Sequence, residues 1–388
     1  MKHALLSRRI LFFFLLFEIL GFGADVIAQE KTKEKTKPKL DIGGALRFNY
    51  NLSSWKPEMK KRGGDFGFDL FRLSVKGEYK KLYINAEYRF YSEAFGGNFL
   101  KQGWLGYHLD DKQELQIGLI QVPFGIERYT SHNWFLNLPY YVGLEDDYDM
   151  GVSYSYKGKN FEYDFAFLKN AEELTFGNNS EASPHRYSYD VVGSNKEVNQ
   201  INGKIIYKPG TSKFYKIGLS AEYGGLYNID TQEMGNHYAL AIHYEYKDDD
   251  WFIKAQATKA KFNPENKQGQ TRDILQMGAY GTPYEVASDF EIYNVGISHL
   301  FYINKDFLEK IEIYDDFGYM HKSMDGFGES YMNVFGVLIN SGPVSTYIDY
   351  AAGYNHSWLG GNFDNEFSTG SANPKWEARF NINVGYYF

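Results

Sequence analysis

Hydrophobic and polar residues alternate one by one along most of this chain. The stretch from Lys375 to Phe388 does so without a break. Trp376, Ala378, Phe380, Ile382, Val384, Tyr386 and Phe388 share one face, and Lys375, Glu377, Arg379, Asn381 and Asn383 share the other. Side chains on a strand alternate at period two, so this pattern predicts a strand with one apolar and one polar face. The pattern recurs at Leu40–Tyr50, Phe71–Tyr79, Leu82–Phe90, Gly103–Leu109, Leu115–Leu119, Met150–Tyr156, Phe161–Phe167 and Ile201–Tyr207. It continues at Tyr215–Tyr223, Tyr238–Tyr246, Trp251–Ala257, Tyr293–Ile297, around Ile311 and Ile313, and at Tyr331–Ile339 and Val344–Tyr354. Between Tyr331 and Ala352 both faces carry apolar groups, and the phase is ambiguous.

The connections between these strands alternate short and long. Lys80-Lys81, Asp110-Asp111-Lys112, Lys157–Asn160, Pro209-Gly210, Asp248–Asp250 and Asn340-Ser341-Gly342 are tight turns. The segments between those hairpins are longer, above all Pro123 to Tyr148, the stretch up to Lys196 and the stretch up to Ala287. A strand of about 10 residues, tilted, spans a bilayer core, with apolar side chains toward lipid and polar ones toward the lumen. An even set of about sixteen strands with every long loop on one side matches an all-β transmembrane antiparallel β-barrel with short periplasmic turns and long external loops. A soluble sandwich or propeller has no reason to place its long loops on one side.

Composition sharpens this picture. Lys2, Arg8 and Arg9, the apolar run Ile10–Gly23 and the small-residue motif ending at Ala28 predict a signal peptide over residues 1–28. Residues 29–39, rich in Lys, Thr and Glu, predict a short disordered arm, and residues 40–388 the barrel. The net charge is −8, and removing Lys2, Arg8 and Arg9 together with Glu18 and Asp25 leaves −9. An acidic chain argues against nucleic acid as a partner. The absence of cysteine excludes disulfides and thiolate metal sites. The mean hydropathy of −0.48 does not oppose a membrane location, because every second residue of such a barrel faces water.

Two segments carry a family likeness. Phe71-Arg72-Leu73-Ser74-Val75-Lys76-Gly77, and Gln116-Ile117-Gly118-Leu119-Ile120-Gln121-Val122-Pro123-Phe124-Gly125 leading into a long third loop, resemble the phosphate-selective porin O and P family. The resemblance implies a trimeric sixteen-stranded porin of the outer membrane, in contact with its lipid. The chain departs from the phosphate-specific members in being acidic. Those members carry a long ladder of arginines and a lysine-rich vestibule.

Two groups of residues are candidates for selecting solutes. Arg47, Arg72, Arg89 and Arg379 fall on the polar faces of the first, second, third and last strands, which become neighbours on closure. Counted from the short-turn ends they sit about 7–9 residues up, so they form a basic wall near mid-depth, with Lys76 and Glu87 beside them. Rings of lumen charge set ion selectivity, and cations favour anions. The alternative pairs the arginines with Glu78, Glu87 and Glu377. The third loop, Pro123 to Tyr148, is expected to fold inward as a constriction. Its candidates are Glu127, Arg128, His132, Glu145, Asp146 and Asp147, the last three opposing the arginines. The nine histidines show no metal-ligand spacing, and no nucleophile motif appears. The expectation is a passive diffusion channel for small hydrophilic or ionic solutes, with no catalytic residue, cofactor or metal. The alternatives are a plugged structural or binding barrel, and a barrel hydrolase.

Overall fold

A computed structural model describes residues 37–172, 181–209, 215–305 and 307–388. The expected signal peptide, most of the expected arm, and Gly210 of the Pro209-Gly210 turn lie outside those residues. The first half of the chain forms β1 (Lys39–Ser53), β2 (Asp65–Tyr79), β3 (Leu82–Phe90), β4 (Asn98–His108), β5 (Gln113–Gln121), β6 (Tyr148–Lys157), β7 (Phe161–Ala171), β8 (Asp190–Val191) and β9 (Asn195–Tyr207). The second half forms β10 (Tyr215–Asn228), β11 (Met234–Lys247), β12 (Trp251–Asn263), β13 (Ile274–Ala279), β14 (Thr282–Ala287), β15 (Asp289–Lys305), β16 (Leu308–Lys322), β17 (Ser330–Ser341), β18 (Val344–Tyr354) and β19 (Glu377–Tyr387). All but β8, β13 and β14 close into one antiparallel barrel in chain order, and β19 returns to pair with β1 from Ala45↔Tyr387 to Arg47↔Gly385 and on to Ser53↔Arg379. The barrel therefore has the expected sixteen strands.

The alternation resolves as a lipid-facing exterior. Along β19, Val384 and Tyr386 are exposed while Asn381 and Asn383 are buried. Leu240, Ile242, Val295, Phe335 and Tyr350 are exposed on other strands, and their polar neighbours point inward. A water-soluble fold reverses this order, so the outer surface is built for hydrocarbon. No helix among the described residues is long and apolar enough to cross a membrane, which does not bear on strands.

The remaining strands form a separate sheet in the order β14-β13-β8. The sequence reading had assigned them to loops. The β13–β14 hairpin turns at Tyr280-Gly281, both at positive φ (54° and 77°), as a two-residue primed turn requires. Its Leu275, Met277, Tyr284 and Val286 share one apolar core with Leu138, Tyr141 and Val142 of the third loop and with Leu359 and Phe367 of the last loop. Met332, Val334 and Ala351 of the wall belong to the same core. This explains the ambiguous phase of β17 and β18. One face meets lipid and the other meets folded-in loops, so both are apolar.

Val295→Arg puts a charge on the lipid face without touching the lumen. It is expected to lower barrel stability by about 2–4 kcal/mol if near mid-depth, read as a lower unfolding midpoint in a urea titration in lipid vesicles.

Candidate functional site

The third loop lies inside the barrel against the wall formed by β9 to β16. At its base the Val122 N–H donates to the Asp147 carbonyl at 3.0 Å. From there the Gly125 N–H donates to Ser220 Oγ of β10 (3.0 Å) and the Ile126 N–H to Gln256 Oε1 of β12 (2.8 Å). Lys204 of β9 pairs with Glu127, and Lys254 Nζ donates to the Ser131 carbonyl at 2.6 Å. Asp316 of β16 is the firmest anchor. Its Oδ2 accepts from His132 N (2.7 Å), Asn133 N (3.1 Å) and Asn133 Nδ2 (2.7 Å), and its Oδ1 lies 2.8 Å from His132 Nδ1. Glycines on the wall allow this approach. A Cβ at Gly296 would stand 2.3 Å from Asp316 Oδ1 and 3.1 Å from His132 Cε1, and one at Gly318 would stand 2.2 Å from Asn137 Oδ1.

A cavity of about 820 Å³ remains on the other side of the loop. Arg47, Arg72, Arg89 and Arg379 line it from β1, β2, β3 and β19, and Trp134, Phe135 and Tyr129 line it from the loop. Arg72 and Arg89 are direct cross-strand partners. Like charges placed opposite repel, and Glu87 holds them together. Its Oε2 lies 3.3 Å from Arg72 Nη1 and its Oε1 lies 2.6 Å from Arg89 Nε. Arg47 Nε lies 2.8 Å from Asp69 Oδ2. Arg379 has no acid partner among the described residues. Its Nε donates to Ser53 Oγ (3.1 Å), its Nη2 to the Trp358 carbonyl (3.3 Å), and its guanidinium lies 5.0 Å from the Trp55 ring centre. Rings also flank Arg89 (Tyr187, 4.4 Å) and Arg72 (Tyr387, 5.4 Å). Such contacts hold a guanidinium in place without neutralising it.

Four expectations need correction. Arg379 is not level with the others. It pairs with Ser53 whereas Arg47 pairs with Gly385, six residues along β19, so it stands about 20 Å nearer the long-loop end. Lys76 does not line the cavity. It is exposed, opposite Asp41 and Asn85, about 13 Å from Arg72 toward the short turns. Glu145, Asp146 and Asp147 do not oppose the arginines. All three are buried behind the loop. Asp146 accepts from Lys101 Nζ at 3.0 Å and from Tyr148 at 2.9 Å, and Glu145 accepts from the Thr130 N–H at 2.8 Å. Burial pushes the Glu145 carboxyl up to about 7, against the pull of that N–H. Glu127 and Arg128 are exposed and lie off the cavity, Arg128 at a left-handed φ of 63°. His132 lines the cavity but is committed to Asp316. Of the carboxylates suggested as arginine partners, Glu87 is one. Glu377 instead lies 2.7 Å from Lys375.

Two partners were missed, Asp69 and Lys101. Both sit where pairing skips a residue: Arg47↔Leu70 is followed by Phe48↔Phe68, and Glu87↔Gln102 by Tyr88↔Leu100. A bulge adds a residue and re-aims its neighbours, so simple alternation put Lys101 on the lipid face. The acids at the loop base were also unforeseen as a group. Asp149, Glu172 and Asp190 each offer an oxygen within 4.8 Å of the others.

A closed sixteen-stranded barrel with an apolar exterior, an inward third loop and a charged cavity has the architecture of an outer-membrane porin. Residues 41–194 match the phosphate-selective porin O and P family, in agreement with the motifs at Phe71–Gly77 and Gln116–Gly125. That match makes the protein a channel-type barrel of the outer membrane. No curated protein matches the sequence. Among solved structures, the chain resembles the outer membrane channel DcaP of Acinetobacter baumannii (TM-score 0.58, 11% identity, 93% of this chain and 100% of that one). It also resembles an anion-selective porin from Comamonas acidovorans (0.56, 12%, 91% and 100%) and outer-membrane expressed OmpT of Vibrio cholerae (0.56, 12%, 92% and 100%). At these identities the likeness is one of fold.

Asp316→Ala is expected to free the loop from its wall. The two backbone donors left buried cost about 1–3 kcal/mol each, and single-channel recordings should show larger, noisier openings. The Glu145 carboxyl binds its proton more tightly folded than unfolded, so its contribution to stability is present below pH 4.5 and is lost as pH rises through about 7. The difference in stability between wild type and Glu145→Gln should therefore shift in favour of the variant by about 3 kcal/mol between pH 4 and pH 8, read from melting curves in detergent.

Proposed function

We propose that this protein is a passive diffusion channel that prefers anions. Solutes move down their gradient through the space between the third loop and the arginine wall. One observation carries the reading: the cavity is lined by four arginines and two aspartates, while the acids of the loop are turned away and already paired or buried. Asp65, one of those aspartates, lies 2.5 Å from Arg62 outside the cavity. The space thus presents a positive surplus to a passing ion, and a low-dielectric surround strengthens it. Guanidinium groups bind planar and tetrahedral oxyanions by paired N–H donors, so carboxylates and phosphate are the solute classes this wall fits. The net charge of −8 does not argue against this, since selection acts at the narrow part and exposed charge is screened within about 8 Å at physiological salt. Such a function needs no catalytic group or cofactor. The homotrimer implied by the family is supported by an OmpT structure described as a trimer form.

The test is a reversal potential across a planar bilayer under a salt gradient. The wild type should favour the anion. Removing both Arg72 and Arg379 by substitution with Ala takes away the two surplus charges, and the reversal potential should move to near zero. A cation-favouring wild type would reject the basic wall as selector. Correctly folded protein that carries no current would favour a plugged structural or binding barrel instead.

A further inference from the structure

The base of the third loop gathers carboxylates from elements far apart in sequence. Asp147 ends the loop and Asp149 opens β6, Glu172 follows β7, and Asp190 begins the small sheet. Glu197 of β9 and Glu222 of β10 stand on the wall beside them. Asp147, Asp149, Asp190 and Glu222 are all buried. Carboxylates this close are not tolerated in a dry interior without compensation. Arg186 supplies part of it, with Nη1 3.2 Å from Glu172 Oε2 and paired to Asp190.

Among the described residues, two buried groups remain unmatched. Asp149 is 2% exposed, and its Oδ1 has no hydrogen-bond partner among them. His237 of β11 is 1% exposed, neither ring nitrogen makes a hydrogen bond, and Nδ1 is directed at Glu197 Oε1 from 3.5 Å. Asp149 belongs to a triad of carboxylates. One oxygen from each of Asp149, Glu172 and Asp190 lies within 4.8 Å of the other two. Calcium binds oxygen at about 2.3–2.6 Å with flexible geometry, and three carboxylates gathered within 4.8 Å are the kind of oxygen donors it takes. Magnesium demands near-ideal octahedral geometry and usually keeps several waters, so a cage of protein carboxylates suits it less. Each carboxylate oxygen has two lone pairs, so the bonds to Arg186 do not use up Glu172 or Asp190.

We propose that Asp149, Glu172 and Asp190 form a binding site for a hard divalent cation of calcium size. Asp147, Glu197 and Glu222 form its acidic surround. The ion ties the base of the constriction loop and the small sheet to the wall, and so holds the loop in the position that shapes the channel. All-oxygen ligation selects against zinc and copper, which favour nitrogen and sulfur. The site is independent of the arginine wall and of ion preference.

The experiment is calorimetric titration of Ca²⁺ into the full protein in detergent at pH 8, after extraction with a chelator, with Mg²⁺ as control. Saturable binding of about one Ca²⁺ per chain, with a rise in melting temperature that Mg²⁺ does not reproduce, is the expected result. Asp149→Asn and Glu222→Gln should weaken binding at least tenfold while keeping the gel mobility of a folded barrel. Should either variant fail to fold, the wild-type melting curve with Ca²⁺ against chelator still decides. Absence of saturable binding to folded wild type overturns the proposal and leaves protons as the compensation. Undiminished binding in both folded variants also overturns it, since the ion then sits elsewhere on the protein.

Discussion

Everything in this molecule depends on the pairing of β1 with β19. In hydrocarbon an unpaired N–H or carbonyl costs several kcal/mol, so a sheet can cross a membrane only if its two edges meet. Here they meet over the run from Ala45↔Tyr387 to Ser53↔Arg379. That pairing does more than remove an edge. It brings Arg379, from the end of the chain, onto the same wall as Arg47, Arg72 and Arg89 from its beginning, though nearer the long-loop end. The basic wall exists only in the closed barrel.

Closure also creates an interior that must be filled or hydrated. The protein does both, on opposite sides. Against β9 to β16 the third loop and the small sheet build an apolar core like that of a soluble domain. Against β19, β1, β2 and β3 the space stays open and charged. The loop takes its place because acceptors such as Asp316 and Gln256 reach out from the wall to its backbone, and because Gly296 and Gly318 leave room for it. The loop is thereby fastened to the wall through its own backbone.

The charges follow the same division. Carboxylates that read in the sequence as an acidic half of the constriction are used instead to fasten the loop. Asp146 collects Lys101 and Tyr148, Glu145 caps the Thr130 N–H, and Asp147 joins the acids at the loop base. Turned inward to structural work, they leave the field of the cavity to the arginines. A guanidinium stacked on a ring, as Arg379 on Trp55, keeps its charge.

The sequence by itself determined the strands, their number, the lipid face and the order of short and long connections. All of these follow from period-two patterning and turn chemistry, which are local. It also placed Arg47, Arg72 and Arg89 on one wall, because register on a regular strand can be counted. Counting failed wherever a bulge intervened. Asp69 and Lys101 were missed for that reason, and Arg379 was set too low because strand stagger cannot be read from one strand. The inner sheet of β8, β13 and β14 was invisible, since its strands are short and its core partners lie in other loops. The direction in which Glu145, Asp146 and Asp147 point was decided by the tertiary structure alone. A side chain in a loop has no periodicity to report, and its environment is made by Lys101, Thr130, Tyr148 and Asp190, which the fold, not the sequence, brings to it.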